Sequence, residues 1–253
     1  MSESDGTRSG IKDFHFEDFG YWNSTLDYLL KKDAKFLNIL KSLITSPNDN
    51  VIDAKSRELI NVALSSSPTS LCKETLTVHM KNAIMHGATE EELLEVLKLV
   101  SVLGMHTCAV GIPVLDKEIV NYGNQPKEIC LNHEQEILKN KFIDKMGYWN
   151  SFRDTLLEND EQFFESYFNY LTNPWESDIL TSKLKEFIYI AIDSSTTHLF
   201  TKGIRVHIKN ALKYGATFEE IMEIFKITSA QGVNTFYTSI PILKEVLSES
   251  NEN

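Results

Sequence analysis

The stretch VHMKNAIMHGATEEELLEVLK at Val78–Lys98 returns 128 residues later as VHIKNALKYGATFEEIMEIFK at Val206–Lys226, with 12 of 21 positions identical. The match continues in the same order on both sides. Before it, GYWNS occurs at 20–24 and at 147–151, and after it IPVL at 112–115 pairs with IPIL at 240–243. Ordered self-similarity of this kind is typical of a duplicated structural unit. The sequence therefore predicts two similar copies in tandem.

Helical spacing runs through each copy. Apolar side chains recur at the three- and four-residue intervals of a helix face, as at Leu76, Met80, Ala83 and Ile84. Gly87 follows this helix where a left-handed residue commonly ends one. Thr89 with Glu92, and Thr217 with Glu220, have the spacing of a capping box that begins the next helix. We predict an all-α protein made of two tandem small helical domains.

Domain boundaries follow from the repeat. The first copy is predicted to span residues 11–120 and the second residues 134–248. The connection at 121–133 is polar, and Gly123 and Pro126 interrupt its helical pattern. The polar ends at 1–10 and 249–253 are predicted to be disordered tails, and the first ten residues lack the apolar segment of a signal peptide.

Composition narrows the range of partners. The formal net charge is −11, which argues against a nucleic-acid backbone or an anionic membrane as a partner. The three cysteines form no CxxC pair, a poor basis for disulfides that fits a reducing compartment. Apolar stretches such as Leu97–Met105 are predicted to be too short to span a bilayer. We expect a cytoplasmic protein that binds a small molecule.

The motif around the repeat carries a family resemblance. Glu58, His79 and the string Gly-Ala-Thr-x-Glu-Glu at 87–92 resemble the core of the carboxymuconolactone decarboxylase family, with its alkylhydroperoxidase D branch. Copy two repeats the pattern with Glu186, His207 and residues 215–220. The resemblance implies small all-α subunits in rings, often hexamers, with apolar active-site pockets. Because each chain supplies two units, we expect a homotrimer with a pseudo-hexameric ring.

The cysteine pattern separates the two branches. The peroxidase branch carries a CxxC pair seven and four residues before the histidine, where copy one has Cys72 and Thr75 and copy two has Phe200 and Gly203. Thiol peroxidase chemistry needs an attacking and a resolving thiol. The chain therefore resembles the decarboxylase branch, which implies a cofactor-independent lyase or isomerase. We expect no cofactor, and no His, Cys and carboxylate spacing indicates a metal site.

The resemblance also implies catalytic roles. His79 and His207 would move a proton at a carbon of the substrate, with Glu58 and Glu186 orienting them or acting as bases. Structural alternatives remain open at each position. The histidine could simply hydrogen-bond across the helix interface to Glu58, and a glutamate in a first helical turn complements the helix dipole.

Further residues are candidates for substrate binding. Cys72 and Thr75 share a helix face with His79, and His106 could reach a pocket in copy one. Trp22 and Trp149 belong to the repeated GYWNS segments, and the pockets of the family use such aromatics. The alternatives are packing roles: Cys72 as a small buried apolar group, His106 as a structural residue, and the tryptophans as core or interface anchors.

Recognition of the name-giving substrate is not evident in the sequence. That lactone bears two carboxylates, which normally require arginine or a comparable cation. Arg57 is the only arginine in the copy-one motif, and Lys185 replaces it in copy two. The sequence therefore leaves open whether the substrate is anionic.

The copies differ at four places that bear on function: Cys72/Phe200, Thr75/Gly203, Ser70/His198 and His106/Asn234. These differences predict that the two pockets are not equivalent, with function concentrated in copy one. Two other functions stay open, a single-cysteine redox protein that uses Cys72 and a non-catalytic small-molecule binder or scaffold. Fast alkylation of Cys72 would favour the first, and a pocket around His79 filled by side chains would favour a scaffold.

Overall fold

The structure is a computed structural model that describes residues 23–123, 125 and 128–251, the last by its backbone alone. Every regular element in these residues is helical, so the all-α prediction is confirmed. The helices of copy one are α1 (Ser24–Lys32), α2 (Ala34–Ile44), α3 (Ala54–Ser66), α4 (Lys73–Met85), α5 (Glu90–Ser101) and α6 (His106–Asn121), with a 3-10 turn at Val102–Met105.

Copy two follows the same order. Its helices are α7 (His133–Met146), α8 (Phe152–Asn159), α9 (Glu161–Thr172), α10 (Ser182–Ser194), α11 (Thr201–Lys213), α12 (Phe218–Ser229) and α13 (Asn234–Asn251), with 3-10 turns at Asn173–Trp175 and Ala230–Val233. The gap between α6 and α7 falls within the predicted connection at 121–133. Helix α13 continues through residues 249–251, which the sequence assigned to a disordered tail. The other predicted tail, at 1–10, lies outside the described residues.

The helix ends form as the sequence predicts. Thr217 Oγ1 accepts from Glu220 N at 3.1 Å, and Thr217 N donates to a Glu220 carboxylate oxygen at 2.8 Å. Thr89 and Glu92 repeat this capping box at 3.2 and 2.9 Å. Gly87 has φ +84°, the left-handed conformation in which a side chain is strained. These local signals place α4 and α5, and likewise α11 and α12, in a fixed helix–turn–helix arrangement.

The compact units of the chain do not coincide with the sequence copies. One unit comprises α1–α5 and α10–α13, and the other comprises residues 101–179 with α6–α9. Within the first unit α13 packs on α1, and within the second α6 packs on α8. Each unit thus combines the C-terminal helix of one copy with the N-terminal helices of the other.

An apolar cluster holds the exchanged helix in the first unit. Tyr237 and Ile240 from α13 are buried against four leucines of α1 and α2: Leu26, Leu29, Leu37 and Leu40. Burying a large apolar side chain stabilises a fold by about 1.5–3 kcal/mol. This cluster therefore fixes the start of α13 beside the N-terminal helices of copy one.

Equivalent helices of the two copies meet in the first unit. Helix α3 packs on α10, and the hydroxyl of Thr197 donates to that of Thr69 at 2.9 Å. Thr69 and Thr197 occupy matching positions in the repeat. Contacts between matching residues are what a local two-fold axis produces. The two motif-bearing helix pairs therefore meet through equivalent positions of the repeat.

One helical run is longer than expected from the sequence, which predicted apolar stretches too short to span a bilayer. Within the described part of the chain, Glu90–Asn121 is a 32-residue run that is apolar enough, by length and composition, to cross a membrane. Core helices pass the same test, so this property by itself is weak evidence for a span. In α5 the run carries Glu95, which is buried in an ion pair with Lys185 at 3.3 Å.

Candidate functional site

The glutamate and histidine of the copy-one motif form a direct pair. Glu58 lies on α3 and His79 on α4, two helices that pack along each other. Glu58 Oε2 is 2.7 Å from His79 Nδ1, and the glutamate is only 3% exposed. A charged partner at Nδ1 fixes the ring and leaves Nε2 as the nitrogen available to a ligand.

Arg57 completes the charge arrangement on the other side of Glu58. Its Nε lies 3.6 Å from Glu58 Oε1, and its Nη1 contacts the carboxylate of Asp49. Burial disfavours ionisation of Glu58, but the hydrogen bond and charge of His79, together with Arg57, hold its pKa below the usual value. Glu58 is therefore a carboxylate at neutral pH.

An open cavity of about 440 Å³ adjoins this pair. Its lining combines α3 and α4 of copy one with the segment 227–237 of copy two. The polar lining comprises Thr45, Asp49, Arg57, Glu58, Asn61, Ser65, Thr75, His79, Gln231, Asn234 and Tyr237. The apolar lining comprises Ile44, Pro47, Leu64, Val78, Ile227, Ala230 and Val233. The cavity is thus built jointly by the two copies.

The cavity of copy one contains Asn234 rather than the predicted His106. Asn234 lines the His79 cavity, and its buried Oδ1 has no hydrogen-bond partner among the described residues. His106, its counterpart in copy one, belongs to the unit that spans residues 101–179 and is not part of this lining. The sequence alignment paired the two positions but assumed that each copy closes its own pocket. Exchange of the C-terminal helices makes that assumption wrong.

The motif pair of copy two has the same geometry. Glu186 Oε2 lies 2.6 Å from His207 Nδ1, and Asn210 Nδ2 donates to Glu186 Oε1 at 3.0 Å. Glu186 is 1% exposed. The predicted pairing of a motif glutamate with a motif histidine is therefore present twice.

The surroundings of His207 differ on its Nε2 side. Asp193 Oδ2 lies 3.8 Å from His207 Nε2, and Asp193 Oδ1 lies 3.8 Å from His198 Nε2. Asp193 is fully buried, and burial, reinforced by Glu186 and opposed by His207, raises its pKa to about 7. Burial also lowers the pKa of His198. Copy one has serines at both matching positions, Ser65 and Ser70.

Gly203 makes room for this carboxylate. A Cβ at Gly203 would lie 1.9 Å from Asp193 Oδ2 and 2.7 Å from the Phe200 ring. Phe200, the counterpart of Cys72, and Asp193, which the sequence analysis did not single out, therefore both lie against Gly203. Tyr189 also stacks on the His207 ring at 4.5 Å, where copy one has Asn61. Side chains therefore contact His207 where copy one has smaller groups beside a cavity.

The other candidate residues fall in different places. Thr75 lines the His79 cavity, whereas Cys72 is buried before α4 with Sγ 3.9 Å from a Glu74 oxygen and is not in the lining. Trp149 lies in the second compact unit, with its ring against Phe142 and its Nε1 donating to Asp154 at 3.1 Å. Its contacts are those of a core anchor. Trp22 lies outside the described residues.

Comparisons with known proteins find similarity over both copies. The sequence model of the carboxymuconolactone decarboxylase family matches residues 34–105 and 161–244, one match in each copy. A solved structure from Burkholderia xenovorans LB400, named as a gamma-carboxymuconolactone decarboxylase subunit, is 36% identical with a TM-score of 0.89. The similarity covers 96% of this chain and 98% of the other. No significant match was found among curated proteins.

Proposed function

Since this chain belongs to the carboxymuconolactone decarboxylase family, we propose that its His79 cavity is the active site of a cofactor-independent isomerase or lyase. The reaction is proton transfer at a carbon of a small organic substrate. His79 is the acid–base group, and Glu58 positions it and stabilises its cationic form. The observation that carries the proposal is a buried Glu–His pair that borders an open cavity of about 440 Å³.

The proton transfer follows from the hydrogen bonding of the ring. Nδ1–H of His79 donates to the ionised Glu58, so Nε2 has its lone pair free to accept a proton. Nε2 removes a proton from a carbon next to a carbonyl, and the electron pair of the broken C–H bond forms an enolate. The imidazolium then returns its proton. Return at the far end of a conjugated system isomerises the substrate, and delivery to a departing β-substituent completes a lyase reaction.

Two observations support this function over the alternatives. Cys72 is the N-cap of α4, but its side chain makes no capping hydrogen bond, and its Sγ lies 3.9 Å from a carboxylate oxygen of Glu74, whereas reactive thiolates lie beside cations and are accessible to solvent. Cys72 is also only 8% exposed. In a protein that served only as a scaffold, no ligand interaction would offset the free energy needed to bury a charged pair at a cavity wall.

The proposed assembly is a closed ring of three chains, a homotrimer with pseudo-sixfold symmetry. Large apolar side chains are exposed at matching positions of the two C-terminal helices: Val114, Leu115 and Ile119 on α6, and Ile242, Leu243 and Leu247 on α13. Such side chains favour burial between subunits. Light scattering should report three chains, and a monomer would contradict the proposal.

Solvent exchange tests the catalytic proposal without knowledge of the natural substrate. Unsaturated γ-lactones are incubated with the protein in D₂O, and proton NMR follows deuterium incorporation and migration of the double bond. We expect exchange that depends on His79 and is lost in His79→Ala. Exchange that is equal in the wild type and in His79→Ala across the lactone series would contradict the proposal.

A further inference from the structure

We infer that the His79 cavity selects substrates without a free carboxylate, namely neutral lactones or related carbonyl compounds that carry hydroxyl or ester groups. The inference names the substrate class of the proposed active site and rests on the proposed function for turnover, but its claim about binding stands independently. It runs against the dicarboxylate chemistry in the name of the family. The reason is the charge of the cavity wall.

The charged groups of the lining are one arginine, two carboxylates and the motif histidine. The guanidinium of Arg57 is shared between Asp49 on one side and Glu58 on the other. Both carboxylates are themselves in the lining, so the wall around the arginine carries a net charge of −1 when His79 is neutral. The protonated histidine brings this to zero. The described residues of the lining therefore supply no cation in excess with which to bind an anion.

For a ligand carboxylate that entered this cavity, attraction to the wall would offset little of the free energy lost with its hydration. The carboxylate would give up hydration while it approached Glu58 and Asp49, and like charges at such distances repel. To pair with Arg57 it would have to lie beside the two carboxylates that the guanidinium already contacts, Glu58 at Nε and Asp49 at Nη1. One of these, Glu58, is the hydrogen-bond partner of His79. Binding an anion at Arg57 thus places a third negative charge next to the acid–base pair.

Copy two follows the same rule at the matching position. Lys185, which replaces Arg57, is 2% exposed, and its Nζ lies 3.3 Å from Glu95. The basic residue before each motif glutamate is thus bound to a carboxylate of the protein. In copy two this residue is buried against α5, whereas Arg57 also lines the His79 cavity.

The rest of the lining suits a neutral polar ligand. Uncharged hydrogen-bonding side chains surround the cavity: Thr45, Asn61, Ser65, Thr75, Gln231 and Asn234. Asn234 also has a buried Oδ1 without a hydrogen-bond partner among the described residues. Aliphatic groups such as Leu64, Val78 and Ile227 cover the remaining surface. A compound with one carbonyl and one or two hydroxyl or ester groups matches this wall.

A matched pair of ligands tests the inference. The probes are an unsaturated γ-lactone that carries a carboxymethyl group and the methyl ester of the same compound, which differ only in charge and one methyl group. Calorimetric titration of the full chain near neutral pH should show the ester binding about tenfold more tightly than the acid. An acid that binds as well as the ester, or better, overturns the inference. Failure of both to bind also overturns it.

The variant Asp49→Asn provides a second test of the inference. Loss of this carboxylate releases one side of Arg57 and makes the wall more positive, so the acid should gain about tenfold in affinity while the ester changes little. Glu219→Gln is the matched control, because it makes the same charge change at an exposed position on α12 outside the lining. An unchanged preference in Asp49→Asn would show that the charge balance around Arg57 does not set specificity.

Measurements of turnover distinguish a failure of this inference from a failure of the proposed function. Tight binding of the ester without His79-dependent proton exchange would leave the binding claim intact and remove the catalytic one. His79-dependent exchange that favours the free acid would do the reverse. Circular dichroism and light scattering on each variant establish that a lost signal does not come from a lost fold.

Discussion

The His79 and His207 sites share the same Glu–His pair and differ in several of the side chains that surround it. The Glu–His distance is 2.7 Å in one and 2.6 Å in the other. On the Nε2 side, His79 adjoins a cavity beside Ser65 and Thr75, whereas His207 faces the carboxylate of Asp193. The duplicated helices therefore fix the pair, and the neighbouring residues decide whether a ligand can reach it.

The residues that distinguish the His207 site from the His79 site contact one another. Asp193 needs the space that Gly203 leaves, since a side chain at that position would collide with the carboxylate. Tyr189 covers the His207 ring, and His198 lies on the other side of Asp193. A carboxylate of the protein thus takes the position that a ligand group would take in copy one. This comparison predicts unequal roles for two nearly identical motifs.

The largest expected effect is on catalysis. His79→Ala should reduce proton exchange on unsaturated lactones by about 100- to 1000-fold, because it removes the acid–base group. His207→Ala should reduce it by no more than about threefold, since that ring faces Asp193 rather than the cavity. The two rates are measured side by side by NMR in D₂O. Equal losses would mean that both sites work, and a larger loss in His207→Ala would reverse the assignment.

Transplanting the copy-two residues into copy one tests which neighbours matter. Ser65→Asp combined with Thr75→Gly should lower exchange by about 10- to 100-fold, because a carboxylate then lies beside Nε2 of His79. Thr75→Gly alone is the control, since glycine within a helix costs about 1 kcal/mol in stability. Full activity in the double variant would show that the Asp193 and Gly203 pair is not what separates the two sites.

The pH dependence of the unfolding free energy reports the ionisation of Asp193. Its pKa is about 7 in the fold against an ordinary 3.8, so between these values the folded chain holds a proton that the unfolded chain has released. Unfolding free energy should therefore fall as the pH rises from about 4 to about 7, and this contribution is then fully lost. Asp193→Asn removes the titration, so wild type should lose about 4 kcal/mol relative to it over that range.

Denaturant unfolding of both proteins at several pH values measures this difference. Glu186, His207 and His198 are charged or titratable neighbours of Asp193 that are present in both chains, so their own contributions cancel to first order. Parallel pH curves for the wild type and Asp193→Asn would show that the carboxyl titrates at its ordinary pH in the folded protein.

The smallest expected effect is the loss of stability when a capping box is removed, and it should be the same in both copies. Thr89→Ala and Thr217→Ala each remove the side-chain half of a capping box and should lower the unfolding free energy by about 1 kcal/mol. Thermal unfolding of the two variants checks this. Markedly different losses would show that the copies also diverge in their scaffold, and the contrast between sites would then need a broader cause.

Local signals in the sequence determined a large part of this protein. The duplicated stretch gave two copies, the helical spacing gave an all-α fold, and the capping boxes at Thr89 and Thr217 gave the helix starts. Each of these depends on residues within a few positions of one another, or on similarity between the copies. The Glu–His pairing also followed from the sequence, because the family motif repeats both residues at a fixed spacing.

Only the tertiary structure decided how the cavity is completed. Asn234 and Tyr237 reach the His79 cavity because α13 packs on α1 and α2, more than 190 positions earlier in the chain. Apolar burial drives that packing, and it leaves no periodic signal that says which copy will receive the helix. The carboxylate of Asp193 beside His207 likewise depends on the approach of α11 at Gly203, so sequence differences between the copies became structural differences only through long-range packing.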